Sequence, residues 1–183
     1  MKDTANFDSL HNIIPGKHFY QFYKGAEDYL HVMISYFQAG LEKGEGCLWL
    51  VSKKTGLDSA IAQAKNAILN AEKYLATGQF KILSAEEWYL TSGRFDEEKA
   101  ITNAAHYVDQ IKKLEVKILR GSGDVGAIPR MDWVKVHAYE KKMALWIKTQ
   151  PIIGLCAYPI LECTPTETKA VLDCHDDVLI GRF

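Results

Sequence analysis

Apolar residues along this chain alternate between short continuous runs and stripes at helical spacing. Lys17 to Phe22, short, aromatic-rich and preceded by the turn signal Pro15-Gly16, predicts a first strand. Next, Tyr29, Leu30, Met33, Ile34, Phe37 and Leu41 fall on one helical face, predicting a helix over Glu27 to Lys43 that ends at Gly44 and Gly46. Cys47 to Val51 is apolar throughout, the mark of a strand covered on both faces. A helix over Leu57 to Ala76, closed by Thr77-Gly78, leads to a strand at Phe80 to Leu83. Ser84 and Glu87 have the spacing of a capping box and open a short helix carrying Trp88 and Tyr89, which runs out near Gly93. Beyond it the pattern predicts a helix over Glu97 to Leu114, a strand at Val116 to Leu119, a helix over Trp133 to Thr149 and a strand at Ile152 to Tyr158. Thr164-Pro165 opens a last helix, with proline where its missing amide costs nothing, and Val178 to Ile180 predicts an edge strand.

Helices alternating with short apolar strands predict an α/β fold: a three-layer sandwich around a mostly parallel central sheet. The 183 residues suit one domain, with residues 1–16 as an N-terminal extension, because a second domain would leave both cores thin. A formal net charge of -1 provides no basic field for nucleic acid or anionic lipid. The start Met1 to Asp8 is polar, and no apolar run approaches the ~20 residues of a membrane span, so a soluble, cytoplasmic protein is expected. There its four cysteines, Cys47, Cys156, Cys163 and Cys174, are reduced; none forms a CxxC pair, and no zinc knuckle is expected.

In such sheets ligands bind beyond the carboxyl ends of the strands, which directs attention to Gln21–Ala26, Val51–Leu57, Arg120–Asp132 and Ala157–Cys163. Lys24 and Gly25 lie where a P-loop belongs, yet GxxxxGK(S/T) is absent, so the backbone has no glycine cradle for a phosphate. Arg120-Gly-Ser-Gly-Asp-Val-Gly126 reads as a flexible loop across the sheet end, with Asp124 either a turn former or a Walker-B-like acid. No nucleophile elbow or triad can be assembled. His18, in a strand among Phe19, Tyr20, Phe22 and Tyr23, is either a satisfied core residue or a polar group aimed into a cavity. By period-two alternation Cys47 shares a face with Trp49, and Cys156 with Tyr158; each thiol is either plain packing or a soft group facing a pocket. Cys174-His175 could ligate a metal only in special geometry, since neighbouring helical positions diverge by ~100°.

His18-Phe-Tyr-Gln-Phe-Tyr23, Glu27-Asp-Tyr-Leu30, Tyr36-Phe-Gln-Ala-Gly-Leu-Glu42 and Gly44-Glu-Gly-Cys-Leu-Trp-Leu50 resemble the opening of MEDS (methanogen/methylotroph, DcmR sensory) domains. The likeness continues through Gly78-Gln-Phe80, Glu86-Glu-Trp-Tyr-Leu90 and Gly93-Arg-Phe-Asp96 to Trp133, Tyr139-Glu140, Leu155-Cys-Ala-Tyr158 and His175. It runs from His18 to Ile180 in the family's order, and the series is specific where no single motif is. The resemblance implies a RecA/KaiC-like fold with a decayed nucleotide site, sensing small hydrocarbon derivatives such as one-carbon compounds. It also implies histidine-kinase or DNA-binding transcription-regulator modules as signalling partners. It makes His18 and Cys156 the leading ligand contacts, with Cys47, Trp133, Glu140, Tyr158 and His175 behind them. Some relatives carry cysteine two residues after the histidine, where this chain has Tyr20.

The expected function is thus a non-enzymatic sensory domain for a small organic molecule, with no resident cofactor or metal and no direct contact with nucleic acid or membrane. The chain carries no output module of its own, so a separate protein reads it or it is a piece of a longer sensor; self-association is compatible with either. Two alternatives stand beside this. One is a RecA-like nucleotide-binding regulator or weak ATPase using Lys24, Gly25 and Asp124. The other is a thiol redox or metal sensor acting through Cys156, Cys163 and Cys174.

Overall fold

The computed structural model describes residues 9–180. Its elements are β1 (Lys17–Tyr23), α1 (Ala26–Glu42), β2 (Gly46–Val51), α2 (Leu57–Ala67), α3 (Ala71–Thr77), β3 (Phe80–Ser84) and α4 (Ala85–Tyr89). A hairpin of β4 (Leu90–Thr91) and β5 (Arg94–Phe95) follows, then α5 (Glu97–Lys112), β6 (Leu119–Asp124), α6 (Trp133–Ile147), β7 (Ile152–Pro159), α7 (Pro165–Cys174) and β8 (Asp177–Val178). The central sheet has the order β3-β2-β6-β7-β1-β8, with every pair parallel. Side chains from α1, α2 and α3 pack on one face, and side chains from α4, α5, α6 and α7 on the other. This is the expected three-layer α/β sandwich, and alternation along each strand divides it into two cores. Cys47, Trp49 and Val51 of β2 face the first layer, whereas Leu48 and Leu50 face the second.

Local chemistry accounts for most boundaries. Thr164 and Glu167 form a complete capping box at the start of α7, and the Ser84 hydroxyl accepts the Glu87 amide to start α4. Gly78 ends α3 in the left-handed conformation, φ 77°. The helix expected over Leu57 to Ala76 is instead two, because Ile68 turns into the core and Asn70 takes φ 61°, a conformation asparagine tolerates. The hairpin was not anticipated; Ser92 and Gly93 at its tip, φ 50° and 74°, supply the paired left-handed residues of a tight turn.

The largest departure concerns Arg120 to Asp124. These residues are not a loop beyond the sheet but strand β6 itself, and the strand expected at Val116 to Leu119 begins only at Leu119. Glycine and aspartate are poor strand formers; neighbours β2 and β7 impose the strand from both sides. Its polar side chains all turn to the α1 layer. Arg120, 0% exposed, donates Nε to Glu45 Oε2 at 2.6 Å and Nη2 to Glu45 Oε1 at 3.3 Å. It also reaches the carbonyls of Tyr36 and Leu10, each at 3.2 Å. Leu10 lies within the stretch expected to be a mere extension, and it is buried core; Met1 to Asp8 lie outside the described residues.

Gly121 and Gly123 turn to the opposite, α4–α6 layer. A Cβ on Gly123 would overlap the Tyr89 hydroxyl, whereas a Cβ on Gly121 would meet no atom within 4 Å. Gly123→Ala should therefore destabilise the protein by roughly 1–3 kcal/mol through overpacking, read as a lower urea midpoint with an unchanged slope.

Candidate functional site

The open space over Gly121 is part of a cavity of about 90 Å³ between the sheet and helices α4, α5 and α6. Ladder register explains its floor. Leu48, Gly121, Gly154 and His18 lie side by side across β2, β6, β7 and β1, and Leu50, Gly123, Cys156 and Tyr20 form the next row. At the centre of the first row Gly121 leaves the layer open above it, while Gly154 beside it is covered by Ile147 and His18. The walls are mainly apolar, and half-buried Trp88, Met143 and Trp146 stand toward solvent. Sequence reasoning placed the ligand region beyond the strand ends. The cavity lies instead on the face of the sheet, because the glycine that makes room for it sits inside a strand.

The polar edge of the cavity is a buried cluster built from four elements. His18 of β1 and Cys156 of β7 point to the same face, with His18 Nε2 3.3 Å from Cys156 Sγ. Glu140 comes from α6, where it shares the inward stripe of Trp133, Val136 and Ile147. The Cys156 thiol donates to Glu140, with Sγ 3.4 Å from Oε1 and 3.3 Å from Oε2, and His18 Nε2 is 3.4 Å from Oε2. His175 follows the last residue of α7 in extended conformation, its ring centroid 4.2 Å from that of His18. The turn is clamped to β1: the His18 amide donates to Asp176 Oδ2 at 2.9 Å, and the Asp176 amide donates to the His18 carbonyl at 2.8 Å. Tyr158, next on the same face of β7, stacks edge-on against His175 and directs its hydroxyl toward Glu140 from outside a full hydrogen bond.

Burial sets the charge state. It raises the Glu140 carboxyl to about 7, against a smaller opposing contribution from Cys156. Burial likewise lowers His175 to about 4 and holds His18 well below an ordinary imidazole, with His175 adding to the effect. The Cys156 thiol is pushed well up, by burial first and by Glu140 second. Near neutral pH the histidines and the thiol are accordingly uncharged.

Of the sequence candidates, His18, Glu140, Cys156, Tyr158 and His175 converge. Trp133 stands one layer away, against Tyr158, with its indole nitrogen donating to the Ile128 carbonyl at 3.1 Å. Cys47 does not belong: strand alternation puts it on the opposite face, against Phe37 and the first core. Cys163 donates to the Pro159 carbonyl and stands apart, whereas Cys174 donates to the Ala170 carbonyl and borders the cluster, with Sγ 3.4 Å from His175 Nδ1. Lys24 and Gly25 form an exposed two-residue turn between β1 and α1, too short to wrap a phosphate, and the Lys24 amide is taken by Asp28. Asp124, at the end of β6, is buried; its Oδ1 accepts from the Tyr23 hydroxyl at 2.8 Å and the Gly126 amide at 3.0 Å, while Oδ2 has no hydrogen-bond partner. Missed were Leu48, Gly121, Gly154, Trp88 and Met143. The signal available was glycine inside a strand pattern, which marks close approach or open space.

Residues 17–176 match the family described as the methanogen/methylotroph, DcmR sensory domain, MEDS. The chain belongs to the MEDS family. No curated protein matches it in sequence. Among solved structures this MEDS domain is similar to the flagellar accessory protein FlaH from Methanocaldococcus jannaschii, at a TM-score of 0.54 and 12% identity, over 96% of this chain and 75% of that one. The likeness concerns the fold alone, which is RecA-like as the resemblance implied. Among the described residues no helix of the MEDS domain is long and apolar enough to cross a membrane.

Proposed function

We propose that this MEDS domain senses a small organic molecule, taken into the cavity over Gly121. The observation that carries this reading is the cavity itself: about 90 Å³, apolar on most sides, with His18, Glu140 and Cys156 as one polar wall. One water needs roughly 10–15 Å³ of such space, so there is room for a one-carbon or short apolar compound. The family's sensory character agrees with it. The cavity roof is made by α4, α5 and α6, so occupancy bears directly on three helices whose outer faces are available to a partner, such as a histidine kinase or transcription regulator in the cytoplasm. The function proposed is binding.

Thermal shift with methanol, methylamine, chlorinated methanes and short nitriles tests this. A ligand at a hundred times its Kd adds ~2.7 kcal/mol, which for a chain of this size is roughly 5–11 °C in Tm. Stabilisation confined to compounds small enough for the cavity supports the proposal. No shift with any of them at concentrations the fold tolerates rejects it.

A further inference from the structure

Hydrogen bonding leaves the buried cluster incomplete. Among the described residues, one ligand atom each from His18, Glu140, Cys156 and His175 lies within 4.8 Å of the other three. Four donors held tetrahedrally around one ion, at ~2.0–2.1 Å for nitrogen and oxygen and ~2.3 Å for sulfur, stand about 3.3–3.6 Å from one another. The observed edges are 3.3 Å from His18 Nε2 to Cys156 Sγ, 3.4 Å from His18 Nε2 to Glu140 Oε2 and 3.3 Å from Cys156 Sγ to Glu140 Oε2. His175 Nε2 is 3.8 Å from Glu140 Oε2, a little longer than such an edge.

His175 supplies a second, independent pointer. Its side chain is 0% exposed, yet Nε2 has no hydrogen-bond partner. Its Nδ1 donates to the Val171 carbonyl at 2.7 Å, which leaves the lone pair on Nε2 toward Glu140. A carbonyl on the far nitrogen is the usual outer support of a metal-binding histidine. An orphaned imidazole nitrogen in a core costs stability unless something accepts its lone pair.

We propose that His18, Glu140, Cys156 and His175 bind one divalent transition-metal ion of the zinc class, through two imidazole nitrogens, one thiolate and one carboxylate oxygen. The thiolate and imidazoles select against magnesium and calcium, which take oxygen ligands. The donors come from β1, α6, β7 and the end of α7, so an ion there cross-links four elements distant in sequence. Three of the four also line the cavity, which places the ion in its polar wall. The assignment rests on donor geometry and stands whether or not the cavity takes an organic molecule.

The test is titration of the full chain, stripped by chelator, with Co²⁺ and then Zn²⁺. Uptake should saturate at one equivalent of cobalt with intense four-coordinate visible bands and a near-ultraviolet thiolate-to-cobalt band, all displaced by zinc. Cys156→Ser should abolish the charge-transfer band and His175→Ala should weaken binding by roughly tenfold or more, while Cys163→Ser changes neither. Gly121→Leu should keep the cobalt spectrum while losing small-molecule binding, which separates this site from the cavity reading. A stripped protein that takes up no cobalt or zinc at micromolar concentration overturns the assignment. So does a spectrum that survives both Cys156→Ser and His175→Ala. If either variant fails to fold, X-ray absorption on the zinc-loaded native protein decides: one sulfur among four ligands supports the site, and a sulfur-free shell rejects it.

Discussion

Replacing Arg120 with alanine is expected to remove about 3–5 kcal/mol of folding stability, because Glu45 is left as a buried charge with only the half-exposed Lys43 ammonium, 3.7 Å away, beside it. Both residues are almost completely buried, at 0% and 2% exposure, and Arg120 makes four hydrogen bonds, two to Glu45 and two to the Tyr36 and Leu10 carbonyls. The Arg120 guanidinium also lies over the Tyr36 ring, 4.9 Å from its centroid, and Gly40 lets it pass, since a Cβ there would come within 2.7 Å of Nε. For a chain of this size the loss corresponds to a fall in Tm of roughly 6–20 °C. Changing both partners to methionine should recover much of it, since the cost lies in the orphaned charge more than in the missing pair. Urea unfolding of Arg120→Ala, Arg120→Met, Glu45→Met and the double methionine variant checks this: if Arg120→Ala loses less than about 1 kcal/mol, the pair is not the anchor described here.

Gly121→Leu is expected to abolish small-molecule binding without destabilising the fold. Space is open where its Cβ would go, the side chain would enter the cavity, and a side chain at a strand position suits the sheet better than glycine. Each methylene buried in empty apolar space contributes up to ~0.8 kcal/mol, so Tm should hold or rise. Binding read by thermal shift should fall by at least about a hundredfold, equivalent to the ~2.7 kcal/mol that a ligand at a hundred times its Kd supplies. Gly123→Ala is the matched control two residues away, where the Tyr89 hydroxyl occupies the space. If Gly121→Leu binds like the native protein, the molecule is held elsewhere.

Much of the site was legible one residue at a time. His18 stood out as a polar group in an aromatic strand, and period-two alternation correctly placed Cys156 with Tyr158 and Cys47 with Trp49. Alternation within a strand, however, says nothing about which face meets which layer, so Cys47 could not be separated from Cys156. Glu140 carried a readable signal, a carboxylate on the helical stripe of Trp133, Val136 and Ile147. The Arg120 to Asp124 segment was misread because local propensity there favours a loop, and only the flanking strands and the Glu45 partner reverse it.

By itself the sequence determined most of the order of strands and helices, the α/β class, the helix caps at Ser84 and Thr164, and membership of the MEDS family. Those features depend on local spacing and local hydrogen bonding, which the chain carries at every position. Only the tertiary structure decided that the sheet order is β3-β2-β6-β7-β1-β8, and so that Gly121, Gly154 and His18 lie in one row under a cavity. Only it brought Glu140 and His175 to His18 and Cys156 across separations of up to 157 residues in the chain. Proximity of that kind is set by strand register and helix packing between distant segments, and no window along the chain contains it.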